Sequence, residues 1–180
     1  MTAYRRPHLP GGTFFFTVNL QDRQSDLLVR HIDHLRAAVQ TARTTHPFKI
    51  DAWVVLPDHL HCVWTLPEGD SNIATRWQTI KAKFSRHLPP TEPRSASRIA
   101  RNERGIWQRR FWEHTIRDDR DYATHIDYIH FNPVKHGLVQ NVAAWPYSTF
   151  HRAVTNGQYP PSWSPQNLPP LQTGEPTPTP

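Results

Sequence analysis

Residues 48–66 read FKIDAWVVLPDHLHCVWTL, and this stretch decides the fold. Two runs rich in Val, Trp and Leu flank a central Pro-Asp pair, a pattern that predicts two buried strands joined in a hairpin. In the second strand His59 and His61 lie two residues apart, so both imidazoles point to one face about 7 Å apart. Leu60 points into the core. The two histidines could converge on one cation or could be ordinary, partly buried side chains.

Hydrophobic patterns on both sides of the hairpin predict the other elements. An aromatic and β-branched run at 13–20 predicts a strand, and apolar residues at helical spacing predict helices near 32–43 and 71–88. A fourth strand is expected within 106–116, a helix from 118 or 119 to Asn132, and a short closing helix within 145–154. Pro133 is expected to end the longer helix. The order β-α-β-β-α-β predicts an α+β fold, an antiparallel sheet with helices on one face, followed by an additional helix.

The chain of 180 residues fits a single domain at 1–156 and a tail at 157–180. Residues 89–105 contain three prolines and four arginines but almost no large apolar side chain, so they predict a mobile basic loop. In the tail eight of 24 residues are proline, which predicts an extended or disordered segment. Such a tail could fold over a functional site as a gate.

The composition narrows the class of protein. The 21 Lys and Arg residues against 15 Asp and Glu give a net charge of +6, which is typical of nucleic-acid-binding proteins and also of soluble basic proteins in general. The single cysteine, Cys62, excludes an internal disulfide and a Cys-rich zinc site. The beginning of the chain has no apolar signal core, and no apolar run approaches the roughly 18 residues of a membrane span. These observations predict a cytoplasmic protein with no membrane partner.

The helix predicted at 118–132 carries a polar stripe. Its members are spaced 4, 3 and 4 residues apart, which places them on one helical face: Asp121, His125, Tyr128 and Asn132. A stripe that only filled a core would be apolar. It could be a solvated surface, but if the helix packs beside the hairpin, the tyrosine and the amide face the two histidines.

Four blocks of the chain resemble one known family. The sequences WVVLPDHLHCVWTLPEGD (53–70) and DYATHIDYIHFNPVKHGLV (121–139) are similar to the two signature blocks of the HUH superfamily of single-tyrosine transposases, and more narrowly of the REP-associated tyrosine transposases. GGTFFFTVNL (11–20) and WQRRFWEHTIRD (107–118) resemble the same group. The likeness covers roughly residues 4–154, with 89–105 as an insertion and the tail outside it.

The resemblance implies a function and a role for each matching residue. It implies a ferredoxin-like HUH fold in which Tyr128 is the nucleophile and His59, His61 and Asn132 bind a divalent metal. It favours Mg²⁺ or Mn²⁺, although the ligand set alone does not exclude zinc. The partner implied is single-stranded DNA with a REP-like hairpin, which is cut through a 5′-phosphotyrosine and rejoined. The REP-associated branch implies a monomer, whereas insertion-sequence relatives are dimers that exchange the tyrosine helix.

Further side chains are candidates for secondary roles. His114 and His125 could lie behind the site and orient the phosphate or the tyrosine, or could be packed structural histidines. Basic residues could bind DNA phosphates or could be solvated surface charges; the candidates are Arg5, Arg6, Arg76, Lys81, Lys83, Arg109 and Arg110. Two other functions remain open, a hairpin-binding protein that no longer cuts DNA and a metal-dependent phosphoesterase in which Tyr128 only orients the substrate.

Overall fold

The structure, a computed structural model, describes residues 9–165 and 168–175. Arg5 and Arg6, two of the candidate phosphate-binding residues, lie outside the described residues. The elements are β1 (Thr13–Asn19), α1 (Leu27–Arg30), α2 (Ile32–Thr45), β2 (Lys49–Val55), β3 (His59–Thr65), α3 (Ile73–Arg86), α4 (Ala96–Ala100), β4 (Trp112–Thr115), α5 (Asp119–Lys135), a 3-10 turn (Val142–Ala144) and α6 (Phe150–Thr155).

The strands form one antiparallel sheet in the order β2-β3-β1-β4. β2 pairs directly with β3, with Val54 opposite His61, so the predicted hairpin is confirmed. β1 lies between β3 and β4 and places Thr17 opposite His61. The predicted α+β antiparallel fold is confirmed, and the histidine pair lies on an interior strand of the sheet.

Helices cover both faces of this sheet. Successive residues of a strand point to opposite faces, so Phe14 and Phe16 join the core that contains α3 residues, while Phe15 joins the core that contains α5 residues. α2 and α3 pack against each other and are the pair predicted for one face. α5 is the additional helix, and it covers the face to which His61 points. Leu60 belongs to the opposite core, as predicted.

Arg76 lies in the core, which corrects the prediction that it contacts DNA. Its side chain is 1% exposed and forms a salt bridge with Asp70 at 2.6 Å. The guanidinium also donates to the backbone carbonyls of His46, Pro47 and Asn72. Position 76 shares the helical face of the buried Ile73 and Ile80. Burial therefore follows from its spacing, and the paired guanidinium ties the turn after α2 to the start of α3.

Residues 89–105 are held against α3, where the sequence predicted a mobile loop. They contain α4, and Arg104 anchors them because its guanidinium donates to the carbonyls of Ser85 and Leu88. The same guanidinium pairs with Glu92 at 2.5 and 2.8 Å. A bidentate pair between residues twelve positions apart produces no periodic pattern, so it could not be predicted from local spacing.

α5 continues through Pro133, where the sequence predicted its end, to Lys135. A proline inside a helix removes one backbone hydrogen bond. Here the missing donor concerns only the carbonyl of Ile129, and the last turn is closed by the backbone amides of His136 and Leu138, which donate to the carbonyls of Asn132 and Pro133 at 3.0 Å. Lys135 consequently belongs to the same helix as Tyr128.

The tail runs back over the α5 side of the domain. Its described residues, within 157–165 and 168–175, contain no helix or strand. The Tyr159 hydroxyl donates to Asp127 of α5 at 2.6 Å, and the rings of Tyr159 and Trp163 pack against Phe150. Across the described part of the chain, every helix is too short or too polar to cross a membrane.

Candidate active site

The rings of His59 and His61 are oriented by hydrogen bonds at Nδ1. His61 Nδ1 lies 2.8 Å from the Thr17 hydroxyl, and that hydroxyl donates its proton to a tail carbonyl at 2.5 Å. His61 Nδ1 must therefore be the donor to Thr17. His59 Nδ1 lies 2.7 Å from Asp58, whose carboxylate also pairs with Arg23 at 2.9 Å. With both Nδ1 atoms used in this way, the Nε2 lone pairs remain for a ligand.

Two buried polar atoms of this site have no hydrogen-bond partner among the described residues. They are Nε2 of His59 and Oδ1 of Asn132, and these side chains are 2% and 0% exposed. A buried atom left unpaired destabilises a protein by about 1–3 kcal/mol unless something binds it. Imidazole nitrogens and an amide oxygen are suitable donors to a divalent cation. The residues present therefore fit the predicted metal, with His61 as the third donor.

α5 brings Tyr128 and Asn132 to the histidine pair. The two residues are four positions apart and so lie on one face of the helix. The ring of Tyr128 is buried and meets the ring of His61 edge-on at 5.4 Å. The structure thus places Tyr128, His59, His61 and Asn132 together, while the role of each stays a prediction.

His114 and His125 lie behind this cluster and are joined by Asp121. Asp121 lies 2.9 Å from His114 Nε2 and 3.1 Å from His125 Nδ1, and the two rings stack at 4.7 Å. Burial acts to raise the pKa of Asp121, but hydrogen bonds led by that from His114 lower it to about 2. The ring of His125 also packs on Phe15 at 4.8 Å, which in turn contacts Tyr128. These contacts fix α5 against β4.

The tail places the Glu175 carboxylate among these side chains. Its Oε1 accepts hydrogen bonds from the Tyr128 hydroxyl at 2.6 Å and from Asn132 Nδ2 at 3.3 Å. The same oxygen contacts His61 Nε2 and lies 3.6 Å from His59 Nε2. One carboxylate oxygen therefore occupies the position that faces the candidate nucleophile and all three candidate metal ligands.

The electrostatics of the site suit a neutral imidazole ligand beside an ionised carboxylate. Burial lowers the pKa of His61 to about 4, so its ring is neutral at neutral pH. With Nδ1 donating to Thr17, the lone pair of a neutral ring lies on Nε2, the atom that a metal would bind. Burial acts to raise the pKa of Glu175, but the neighbouring imidazoles of His136, His59 and His61 hold it well below its usual range.

Replacement of Glu175 by alanine is expected to raise the affinity of the protein for Mn²⁺ by about tenfold. The carboxylate contacts the candidate metal ligands, and a group that competes for them lowers the apparent affinity by reducing the fraction of competent molecules. Electron paramagnetic resonance of free Mn²⁺ measures the change, with Glu68→Ala, an exposed glutamate, as the matched control. A lower affinity in Glu175→Ala would show instead that the carboxylate is a metal ligand.

Four functional candidates were missed by the sequence patterns. Lys135 donates to the Tyr128 hydroxyl at 2.8 Å, but the expected end of the helix at Asn132 hid it. Glu175 belongs to a tail with no periodic pattern. Thr17 and Asp58 orient the two histidines. For Thr17 the alternation of β1 was a usable signal, because Thr17 points to the same face of the sheet as Phe15.

The remaining basic candidates lie around α3 and the segment before β4. Lys81 and Arg109 line a cleft of about 730 Å³ that also contains Trp107 and Phe111. Lys81 donates to the carbonyl of Gln108 at 2.9 Å. Arg109 pairs with Glu103, Arg110 is exposed and Lys83 is half-buried.

Comparisons with known proteins point to one family. Residues 16–132 match the model of the family described as "Transposase IS200 like". A REP-associated tyrosine transposase of Escherichia coli K12 is 49% identical over 164 residues, which cover 91% of this chain and 92% of that protein. The solved structure of a REP-associated tyrosine transposase bound to a REP hairpin is also similar. It shares 47% identity and a TM-score of 0.84, over 98% of this chain and 99% of that one.

Proposed function

Because this chain belongs to the IS200-like transposase family, we propose that it cuts and rejoins single-stranded DNA beside a REP-like hairpin, with Tyr128 as the nucleophile. Membership makes it a DNA nicking and joining enzyme. Beyond this membership, we propose which residues react, which metal they bind and which covalent intermediate forms.

The observation that carries the proposal is the set of side chains around Glu175 Oε1. This anionic oxygen accepts hydrogen bonds from Tyr128 and Asn132 and contacts His61 Nε2 at the same time. A non-bridging phosphate oxygen has the same charge and accepts the same hydrogen bonds. A scissile phosphate that replaced the carboxylate would therefore lie against the tyrosine oxygen and the candidate metal ligands.

The reaction proposed for Tyr128 conserves the energy of the phosphodiester. The tyrosine oxygen bonds to phosphorus, the bond from phosphorus to the 3′-oxygen breaks, and that oxygen takes up a proton. The products are a 5′-phosphotyrosine and a free 3′-hydroxyl. Since the phosphoryl group stays activated on the enzyme, a 3′-hydroxyl can attack it and join strands, which hydrolysis by water would prevent.

In the closed arrangement Tyr128 is a poor nucleophile. Burial and the adjacent charge of Glu175 raise the pKa of its hydroxyl well above the ordinary value. Removal of the carboxylate from the site would lower that pKa and free the position of the phosphate. We therefore propose that the tail must leave before DNA is cut.

The metal proposed for the site is Mg²⁺ or Mn²⁺, held by His59, His61 and Asn132. A divalent ion supplies Lewis-acid polarisation of the phosphate. Two imidazoles and one amide leave room for oxygen ligands, which these ions prefer. The two unpaired buried atoms described above support this assignment.

We propose that one chain suffices for the reaction. Tyr128 lies against the histidines of its own sheet, because its helix packs on β2 and β3 of the same chain. Exchange of the tyrosine helix with a second copy is therefore not needed to assemble the cluster. Sedimentation of the protein with one hairpin tests this, and a complex with two copies of the chain would contradict it.

DNA contacts are proposed for Lys81, Lys83, Arg109 and Arg110. Lys81 and Arg109 line a cleft with two aromatic rings, on which unpaired bases could stack. Gln108 in the same segment donates to the carbonyl of Asn19, which pairs with His59, while Trp107 and Phe111 belong to the core on the face opposite Tyr128. If these cations bind phosphates of single-stranded DNA, a plot of the logarithm of the affinity against the logarithm of the salt concentration should fall with a slope of about 0.7 per phosphate.

The decisive experiment is capture of the covalent intermediate. The protein is incubated with Mn²⁺ and a single-stranded oligonucleotide that carries a hairpin, and the products are separated under denaturing conditions. We expect an adduct whose DNA maps to the peptide containing Tyr128, and none with EDTA or a scrambled stem.

Two other outcomes would contradict the proposal. Tight hairpin binding with no adduct and no cleavage would identify a binding protein that does not cut. Cleavage without any adduct would identify a metal-dependent phosphoesterase.

A further inference from the structure

Lys135 contacts the candidate nucleophile from the last turn of its own helix. Its Nζ donates to the Tyr128 hydroxyl at 2.8 Å and lies 4.7 Å from the centre of the tyrosine ring. The two residues are seven positions apart, which is two turns of helix. The contact exists because α5 continues through Pro133. A cation is thereby fixed at the oxygen that would attack phosphorus.

The same ammonium is bound by the tail. Lys135 Nζ lies 2.5 Å from Oε2 of Glu175, while Oε1 of that carboxylate accepts the Tyr128 proton. Glu175 thus spans the lysine and the tyrosine, as a phosphate with two non-bridging oxygens would. The Lys135 side chain is 37% exposed, so a DNA phosphate can reach it when the carboxylate departs.

The other described basic side chains near the site are already engaged or lie farther from the tyrosine oxygen. Arg23 forms a salt bridge with Asp58 behind His59. His136 lies 3.6 Å from Glu175 Oε2, and its ring faces His59 at 5.0 Å. Within residues 9–165 and 168–175, Lys135 is the side chain that supplies positive charge directly to the Tyr128 oxygen.

We propose that Lys135 is a catalytic residue of the strand-cutting and strand-joining steps, and this inference rests on the proposed role of Tyr128. As the tyrosine oxygen bonds to phosphorus, its proton passes to water, and the ammonium stabilises the negative charge shared by that oxygen and the phosphate. The bond to the 3′-oxygen then breaks. In strand joining the 3′-hydroxyl gives its proton to water as its oxygen bonds to phosphorus, and the bond from phosphorus to the tyrosine oxygen breaks. The ammonium stabilises the departing phenolate, which then takes up a proton from water. The Lys135 ammonium stays protonated during both strand cutting and strand joining.

Removal of a fixed donor from a transition-state oxyanion usually slows an enzyme by about 100- to 1,000-fold. We expect Lys135→Met to lower the single-turnover rate of adduct formation by about 100-fold, with hairpin affinity within about twofold of the wild type. Lys135→Arg should retain much of the rate because it keeps the charge. All variants are compared in a Glu175→Ala background, so that loss of the Lys135–Glu175 contact does not change tail occupancy.

Chemical rescue distinguishes a catalytic ammonium from a structural lysine. The chain has one cysteine, Cys62, which is fully buried and whose thiol pKa is raised by burial. In a Lys135→Cys variant, 2-bromoethylamine would therefore alkylate the exposed position 135 and restore an ammonium of nearly the same length. We expect this treatment to recover most of the rate, and iodoacetamide, which adds a neutral amide, to recover none.

The outcomes separate this inference from the proposed function. If the parent protein forms no adduct, the role of Tyr128 fails and that of Lys135 with it. If the parent forms an adduct and Lys135→Met forms it at the same rate, only the role of Lys135 is overturned. An equal loss of affinity and rate, or equal rescue by both reagents, would likewise overturn it, because the lysine would then serve binding or packing alone.

Discussion

Tyr128→Phe is expected to abolish the covalent protein–DNA adduct and strand joining, with a loss of at least about 1,000-fold. The substitution removes the one oxygen that would bond to phosphorus. It leaves the ring in its contacts with His61 and Phe15. Hairpin binding should therefore persist, and stability should change by no more than about 1–3 kcal/mol from the lost hydroxyl contacts. Denaturing gels, hairpin titrations and thermal unfolding of the same preparations measure the three quantities.

Tyr122→Phe provides a matched control on the same helix. Its hydroxyl bonds to Asp51, and it lies outside the cluster of candidate ligands. This variant should form the adduct at the rate of the wild type. An adduct in Tyr128→Phe, mapped to another residue, would transfer the role of nucleophile to that residue.

His61→Ala is expected to lower metal-dependent adduct formation by about 100-fold or more, because one of three candidate metal ligands disappears. His61 is fully buried, and its Nδ1 bond to Thr17 holds Nε2 toward the site. Mn²⁺ affinity, followed by electron paramagnetic resonance, should fall in parallel with the rate. Asn132→Ala should have the same two effects, since its buried Oδ1 lacks a partner in the described residues.

His34→Ala serves as the control for this prediction. His34 is exposed on α2, where its ring stacks with those of His31 and His87. Its loss should change neither metal affinity nor rate. If His61→Ala formed the adduct normally and EDTA still stopped the reaction, the essential metal would have to bind elsewhere.

The hairpin and the tyrosine helix were predictable because their signals are local. Period-two alternation in 48–66 placed His59 and His61 on one face, and the 4, 3, 4 spacing placed Tyr128 with Asn132. Neither pattern predicts that the helix packs on the face of the sheet that carries the two histidines. That link came from the family resemblance, and the packing of α5 on that face bears it out.

The errors arose where a local rule competed with tertiary packing. Pro133 is a strong stop signal, yet the last turn of α5 forms around it and carries Lys135 to the tyrosine. The charge of Arg76 indicated an exposed residue, whereas its helical spacing and its bonds to Asp70 and three carbonyls keep it buried. Glu175 bonds to Tyr128 although it lies 47 residues further along the chain, in a proline-rich segment that has no periodic pattern.

The aromatic anchor of the tail makes the active-site carboxylate a tethered competitor. Tyr159 is bonded to Asp127 and Trp163 packs on Phe150, and neither contact involves Glu175. Only roughly a dozen residues separate this anchor from the carboxylate, and a tether of that length gives an effective concentration on the order of millimolar. Closure of the site is then an intramolecular equilibrium, which does not depend on the concentration of the protein. If the proposed function holds, we therefore expect the supply of divalent cation and hairpin DNA to set the threshold for activity, and dilution of the protein to leave that threshold unchanged.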